Sequence, residues 1–171
     1  MDAVTDPSSD ESFMDQALRE AQVAASEGEV PVGAVVVFEG RVVARGHNGK
    51  EQSHDPTAHA EILALREAAR VLGRWRLTGA TLFVTLEPCA MCAGAVVQAR
   101  IDRLVYGCRD PKAGATGSLM NLVQDPRLNH QVAVTEGVQG AAASEVLKEF
   151  FRAKRRGRAG CGELAELVEG A

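Results

Sequence analysis

The sequence predicts an α/β fold in which one sheet carries helices on both faces. β-branched runs alternate with segments whose apolar residues recur at helical spacing. The helical segment after Cys89 is apolar almost all round, which calls for burial. The chain has 171 residues, 46% apolar and 25% charged, enough for one domain with a real core, and shows neither a repeat nor a second domain.

Each element has a local reason. The first dozen residues are polar and acidic and are expected to be disordered. From Phe13 the apolar positions Met14, Ala17, Leu18, Ala21, Ala24 and Ala25 define a helix that Gly28 ends. VGAVVVF (32–38), the turn EG and RVVARG (41–46) form a hairpin. HNGKEQSHDP is loop, and Asp55 and Pro56 read as N-cap and first residue of a helix that runs through TAHAEILALREAARVL to Gly73. ATLFVTL (80–86) is a buried strand, and Pro88 opens the helix CAMCAGAVVQA. RLVYG (103–107) is a further strand, residues 108–118 are a Gly-rich loop, and HQVAVT (130–135) is a fifth strand. ASEVLKEFFRAKRR closes the chain as a helix with Val146, Leu147, Phe150 and Phe151 on one face. The tail after Arg158, AGCGELAELVEGA, reads as a short amphipathic helix or as disorder.

No apolar run approaches the ~18 residues of a membrane span. The N-terminus lacks the basic and apolar regions of a secretory signal, so the expected compartment is the cytoplasm, with no membrane partner. Thiols stay reduced there, so Cys89, Cys92, Cys108 and Cys161 are ligands, reactive groups or bystanders rather than a disulfide framework. The net charge of −4 argues against a nucleic-acid partner only superficially. Of the 23 acids, four lie in residues 1–11 and three in 161–171, and the remaining 16 face 19 bases. Lys148, Arg152, Lys154, Arg155, Arg156 and Arg158 cluster against Glu149 alone. Such a patch suits phosphates, although a solvated helix end has the same composition.

The chemistry concentrates in two short motifs. PCAMC puts Cys89 and Cys92 at a helix start, where unpaired N–H groups and the helix dipole favour thiolate. A C-x-x-C is a redox pair, half of a structural zinc site, or a zinc pair completed elsewhere. No second C-x-x-C exists, which weakens the four-cysteine site, and a redox pair leaves His59 and Glu61 unexplained. With His59 as third ligand, imidazole and two thiolates suit zinc and leave a fourth position for a water whose pKa falls to about 7. On a helix His59 and Glu61, two residues apart, point about 200° away from each other. Glu61 is therefore a poor companion ligand, but near a helix start it reaches round to the water as a proton shuttle. H-x-E followed by P-C-x-x-C is the established signature of the zinc nucleobase deaminases, those acting on tRNA adenosine among them.

On EVPVGAVVV (29–37), HDPTAHAEI (54–62), TLEPCAMCAGA (85–95), YGCRDPKAGATGSLMNL (106–122), NHQVAVTEGV (129–138) and EFFRAKRR (149–156), the chain resembles the bacterial tRNA-specific adenosine deaminases of the cytidine/deoxycytidylate deaminase superfamily. The resemblance implies a three-layer α/β/α cytidine-deaminase-like fold with a mixed five-stranded sheet, and a zinc-dependent deaminase domain over residues 12–158 between an acidic N-terminus (1–11) and an acidic tail (159–171). It implies a homodimer with the substrate site near the subunit interface, and hydrolysis of adenosine to inosine with release of ammonia at the wobble position of an arginine tRNA. It assigns His59, Cys89 and Cys92 as ligands of one zinc per subunit, with no organic cofactor, and Glu61 as proton shuttle for attack on C6 of a flipped adenine. It also assigns Asn48 to hydrogen-bond the nucleotide, Ala60 to meet the base edge through its backbone, Val30 and Leu86 to wall the pocket, and Asp110 to a loop near the RNA. Read without the resemblance, Val30 and Leu86 are core positions, Asn48 in HNG makes a turn, and Asp110 before Pro111 is loop chemistry. Cys108 stands where a small non-thiol residue is expected and receives no role.

Three functions compete. Editing of the tRNA anticodon stem-loop uses the basic closing helix, with Arg152, Arg155 and Arg156 as RNA contacts. A deaminase of a free base such as guanine or cytosine shares the zinc site but has no use for that helix. A non-catalytic zinc module leaves Glu61 and the open coordination position unexplained.

Overall fold

The computed structural model describes residues 7–169, with side chains placed from Asp10 to Gly157. In chain order the elements are α1 (Pro7–Ser26), β1 (Gly33–Phe38), β2 (Arg41–His47), α2 (Lys50–Ser53), α3 (Ala60–Leu72), β3 (Ala80–Leu86), α4 (Ala90–Gln98), β4 (Arg103–Cys108), β5 (Ala133–Glu136) and α5 (Gly140–Glu169). The sheet order is β2-β1-β3-β4-β5. β1 is antiparallel to β2 and β3, while β3, β4 and β5 run parallel. The fold is thus a mixed five-stranded sheet between two helical layers, as expected. Alternation along β1 shows why both faces are covered. Ala34 and Val36 join Leu82, Val84, Leu104, Ala64 and Val96 in the core under α3 and α4. Val35 and Val37 join Met14, Ala17, Phe83, Val105 and Ala143 in the core under α1 and α5.

Two glycines let helices lie on this sheet. A Cβ at Gly33 would stand 2.8 Å from Glu20 Cβ and closer still to the α1 backbone, and one at Gly46 would stand 2.7 Å from the Ala64 nitrogen of α3. Backbone therefore packs on backbone at both places. On the other side, Arg103 of β4 donates to both carboxylate oxygens of Asp10 at 2.9 and 2.7 Å and to Thr135 Oγ1 at 2.9 Å, tying α1, β4 and β5 together.

Several boundaries differ from expectation. α1 starts at Pro7, not Phe13, so of the segment 1–11 expected to be disordered, 7–11 is helical and 1–6 lies outside the described residues. The reason is long-range: Asp10 is held by a residue 93 positions away. The loop after β2 contains the one-turn α2, ended by His54 in the left-handed conformation. Asp55 is not a helix N-cap. Its carboxylate accepts from Thr57 N at 2.8 Å and Thr57 Oγ1 at 2.7 Å in an Asx turn, and α3 begins only at Ala60. α4 is not buried all round. Cys92, Ala93, Val96 and Val97 face the core, whereas Met91 on its outer side is 37% exposed. α5 continues through the tail expected to begin at 159, as far as Glu169. Among the described residues no helix is long and apolar enough to cross a membrane.

Candidate active site

The ends of five elements converge beside the C-terminal end of β3. Antiparallel pairing of Ala34 with Val84 brings the segment before β1 to that end, and pairing of Gly33 with His47 brings the segment after β2. Parallel pairing of Leu86 with Cys108 adds the loop after β4. Helices α3 and α4 start there. The cleft between them has a volume of about 160 Å³ and is lined by Val30, Val32, Asn48, Lys50, His59, Ala60, Glu61, Leu86, Glu87, Cys89, Asp110 and Ala113. It is small beside drug-sized sites of roughly 300–1,000 Å³, a volume scale that suits a single base.

The geometry of the two motifs follows from where their helices begin. His59 has φ −80° and ψ 152° and Cys89 has φ −73° and ψ 175°, so each is an extended residue immediately before its helix. His59 and Glu61 are therefore not separated by two helical steps. The chain turns between them, and both side chains reach the same cleft. Neither helix start is capped by a side chain, so its first N–H groups and the positive end of its dipole are directed at the site.

His59 Nδ1 lies 3.7 Å from Cys89 Sγ and 3.5 Å from Cys92 Sγ. Zinc bonds of roughly 2.1 Å to nitrogen and 2.3 Å to sulfur at a tetrahedral angle separate the two atoms by about 3.6 Å. The triangle thus has the size and donor set that zinc requires, and it is the one such group of metal-binding side chains among the described residues. Cys89 is held down to about 3, by hydrogen bonds from Cys92 and from His59. Its thiolate in turn draws His59 towards the protonated form. Cys92 is pushed up because it shares its proton with Cys89 and is buried. A divalent cation held here would replace those protons and take both sulfurs as thiolates.

Glu61 is 4% exposed, and burial pushes it up to about 7, with the His59 charge opposing. A carboxyl poised near neutrality suits proton transfer in both directions. Asn48 Nδ2 donates to the Val30 carbonyl at 3.2 Å, while Asn48 Oδ1 is buried without a partner, the single such side-chain atom among the described residues. An unmatched acceptor in the wall of a cleft is suited to a ligand's N–H or O–H.

The structure therefore brings Val30, Asn48, His59, Ala60, Glu61, Leu86, Cys89 and Asp110 to one cleft, with Cys92 directly beneath it. Asp110 lines the cleft and also accepts from Lys112 N at 2.9 Å and Ala113 N at 3.3 Å in its own turn. Arg152 and Arg155 lie in a different place, a groove of about 420 Å³ shared with Lys112, Lys148 and Phe151. Arg156 does not line that groove, and Arg152 is paired with Glu145. Lys112 sits between the cleft residues Asp110 and Ala113, so groove and cleft meet at that loop. Sequence reasoning missed Lys112 and Glu87. No spacing rule marks a loop lysine, and the partners of Glu87 lie 23 to 31 residues further along the chain, outside any local motif.

The model of the MafB19-like deaminase family matches residues 8–155. A tRNA-specific adenosine deaminase of Bacillus subtilis is 51% identical over 86% of this chain and 91% of its own length. A solved structure from a study of A-to-I editing by tRNA:A34 deaminases superposes with a TM-score of 0.77 at 48% identity, over 80% of this chain and 99% of the other. A guanine deaminase from Nitrosomonas europaea superposes with a TM-score of 0.70 at 27% identity, over 82% and 83%.

Proposed function

From the premise that the chain belongs to the deaminase family of the tRNA-specific adenosine deaminases, we propose that it converts adenosine to inosine at the wobble position of a tRNA anticodon, releasing ammonia. The arginine tRNA is the proposed substrate. The observation that carries the reading is the His59–Cys89–Cys92 triangle with buried Glu61 beside it, in a cleft that opens onto a basic groove.

His59, Cys89 and Cys92 are the residues that would hold zinc, one per subunit. Zinc in such a site supplies a water that ionises near a pKa of about 7. Glu61 accepts a proton at its carboxylate from the attacking water and returns it to the departing amino group, so that water and an exocyclic amine become a carbonyl and ammonia. Val30 and Leu86 exclude water from the faces of the base. Asn48 Oδ1 and the uncapped N–H groups at Ala60 orient its edge and sugar. Only an extruded base enters a cleft of this size, and an anticodon loop presents unstacked bases.

The RNA backbone lies along Lys112, Lys148, Arg152 and Arg155, with Arg156 contributing long-range charge. Lys112 links this groove to the cleft, which favours a polymeric substrate over a free base. A second copy of the chain covers the apolar outer side of α3 and α4, where Ile62, Leu65, Ala69, Ala95 and Ala99 line a groove and Trp75 is 61% exposed. The cytoplasm, which holds tRNA and keeps thiols reduced, is the compartment. The test is an inosine readout on the arginine anticodon stem-loop beside free adenosine, cytosine and guanine. Turnover of the stem-loop alone is expected, and preferential turnover of guanine would replace this reading with a free-base one.

A further inference from the structure

The mechanism leaves the buried carboxylate of Glu87 unused. Glu87 is 2% exposed and follows β3 directly, two residues before Cys89. Its carboxylate pairs with no cation among the described residues. It accepts instead from the loop after β4: at Oε2 from Asp110 N at 2.9 Å and from Ser118 Oγ, and at Oε1 from Ser118 N at 2.9 Å, Thr116 N at 3.2 Å and Thr116 Oγ1 at 3.4 Å. These donors sit at both ends of the segment 110–118. One side chain therefore ties together both ends of a loop whose own backbone pairing consists of the isolated bridges Cys89–Gly114 and Thr116–Asn121 and a few turn bonds, with Ala115 N donating to the Pro88 carbonyl at 2.8 Å.

The packing is specific to this arrangement. A Cβ at Gly114 would collide with the Glu87 carboxylate and with the Asp110 carbonyl, so the loop folds over Glu87 with no room to spare. The other side of the loop is anchored independently. Glu136 accepts from Tyr106 OH at 2.6 Å and from Arg109 Nη2 at 2.9 Å, which fixes the residue before Asp110. The clamped segment includes Asp110 and Ala113, which form one wall of the cleft, and Lys112, which lines the basic groove.

We propose that Glu87 is a positioning residue for the substrate: by collecting five donors from segment 110–118 it holds Asp110, Lys112 and Ala113 where the flipped nucleotide and its flanking phosphate meet them. Glu87 borders the same cleft, but its carboxylate is engaged by these loop donors and makes no hydrogen bond to His59, Cys89 or Cys92. The proposal rests on the deaminase reading of the cleft. Its signature is a loss of ground-state binding, a rise in KM with kcat retained, because the residues it holds contact the bound nucleotide rather than the reacting carbon.

The test compares wild type and Glu87→Gln on the anticodon stem-loop, with zinc content and amide hydrogen exchange measured on the same samples. Gln turns an amide towards N–H donors that need an acceptor. KM is expected to rise about tenfold with kcat changed less than about threefold, zinc content unchanged, and exchange at Asp110, Thr116 and Ser118 accelerated. A merely structural role lowers the melting temperature without moving KM. An unchanged KM, or a loss of activity that tracks loss of zinc, overturns the proposal. Should Glu87→Gln fail to fold, Thr116→Val with Ser118→Ala removes two donors from the loop side, and the same KM criterion decides. An inactive wild type defeats the deaminase reading itself, whereas an active wild type with indifferent variants defeats the clamp alone.

Discussion

Gly46→Ala should separate site geometry from bulk stability. Gly46 lies on β2 under the first turn of α3, the turn that carries Ala60 and Glu61 and follows His59. A methyl there would stand 2.7 Å from Ala64 N and 3.2 Å from Leu63 Cβ, and nearer still to the Ala60 carbonyl oxygen. Comfortable separations between carbon atoms are about 3.5–4.0 Å, so the helix start must withdraw by on the order of 1 Å. Overpacking of this kind costs roughly 1–3 kcal/mol, and ~2 kcal/mol in a chain of this size lowers Tm by roughly 4–8 °C. Activity should fall further than stability, because a displacement of about 1 Å at a catalytic group can cost about 10²-fold. Gly33→Ala is the control. It makes a comparable collision, but with α1, which carries no site residue. Thermal unfolding together with kcat/KM on the stem-loop reads both effects. Both variants should lose Tm, and only Gly46→Ala should lose activity by orders of magnitude. A folded Gly46→Ala protein with wild-type kcat/KM would refute the claim that the start of α3 sets the reacting geometry.

Three further outcomes follow from the structure. The protein should carry about one zinc per chain, and chelation should abolish activity and lower Tm, since an ion that binds only the native state stabilises it; a metal-free, active protein contradicts the ligand assignment. Replacing Arg152, Arg155 and Arg156 together should weaken RNA binding and flatten its dependence on salt by about 0.7–0.9 in log–log slope for each phosphate no longer neutralised; Arg152 should contribute least, because Glu145 already occupies it. Tyr106, the chain's single tyrosine, is pushed up to about 12 by burial and by its hydrogen bond to Glu136. A raised folded pKa contributes stability that is complete below the ordinary value of about 10 and is lost as pH rises towards 12. Ultraviolet titration should therefore show little tyrosinate until well above pH 10, and ionisation at the ordinary value would show that the Tyr106–Glu136 hydrogen bond is open.

The sheet and the gathering of His59, Cys89 and Cys92 are readable in the sequence for a local reason. β-branched runs such as VGAVVVF and ATLFVTL state their own conformation, and His and Cys at P-C-x-x-C and H-x-E spacing state their chemistry. Helix starts were less readable. Asp-Pro at 55–56 carries a strong N-cap signal, yet Asp55 satisfies Thr57 instead, and the helix waits for Ala60. That delay turns His59 and Glu61 from residues on opposite sides of a helix into neighbours across its first turn. α1 begins before its local apolar pattern because Asp10 is held by Arg103, a partner no local window contains. Glu87 is not legible locally, because its carboxylate is met by donors of a loop 23 to 31 residues later. Asn48 reads as a turn residue in HNG, and only its unmatched buried Oδ1 gives it a second meaning.

The division of labour between His59 and Glu61 is tested most directly by Glu61→Ala, with zinc content and inosine formation on the arginine anticodon stem-loop measured on the same preparation. The account predicts about one zinc per chain in both proteins and a loss of turnover of about 10²–10⁴-fold in the variant. Wild-type turnover without Glu61, or zinc that departs with it, would contradict the proton-shuttle role.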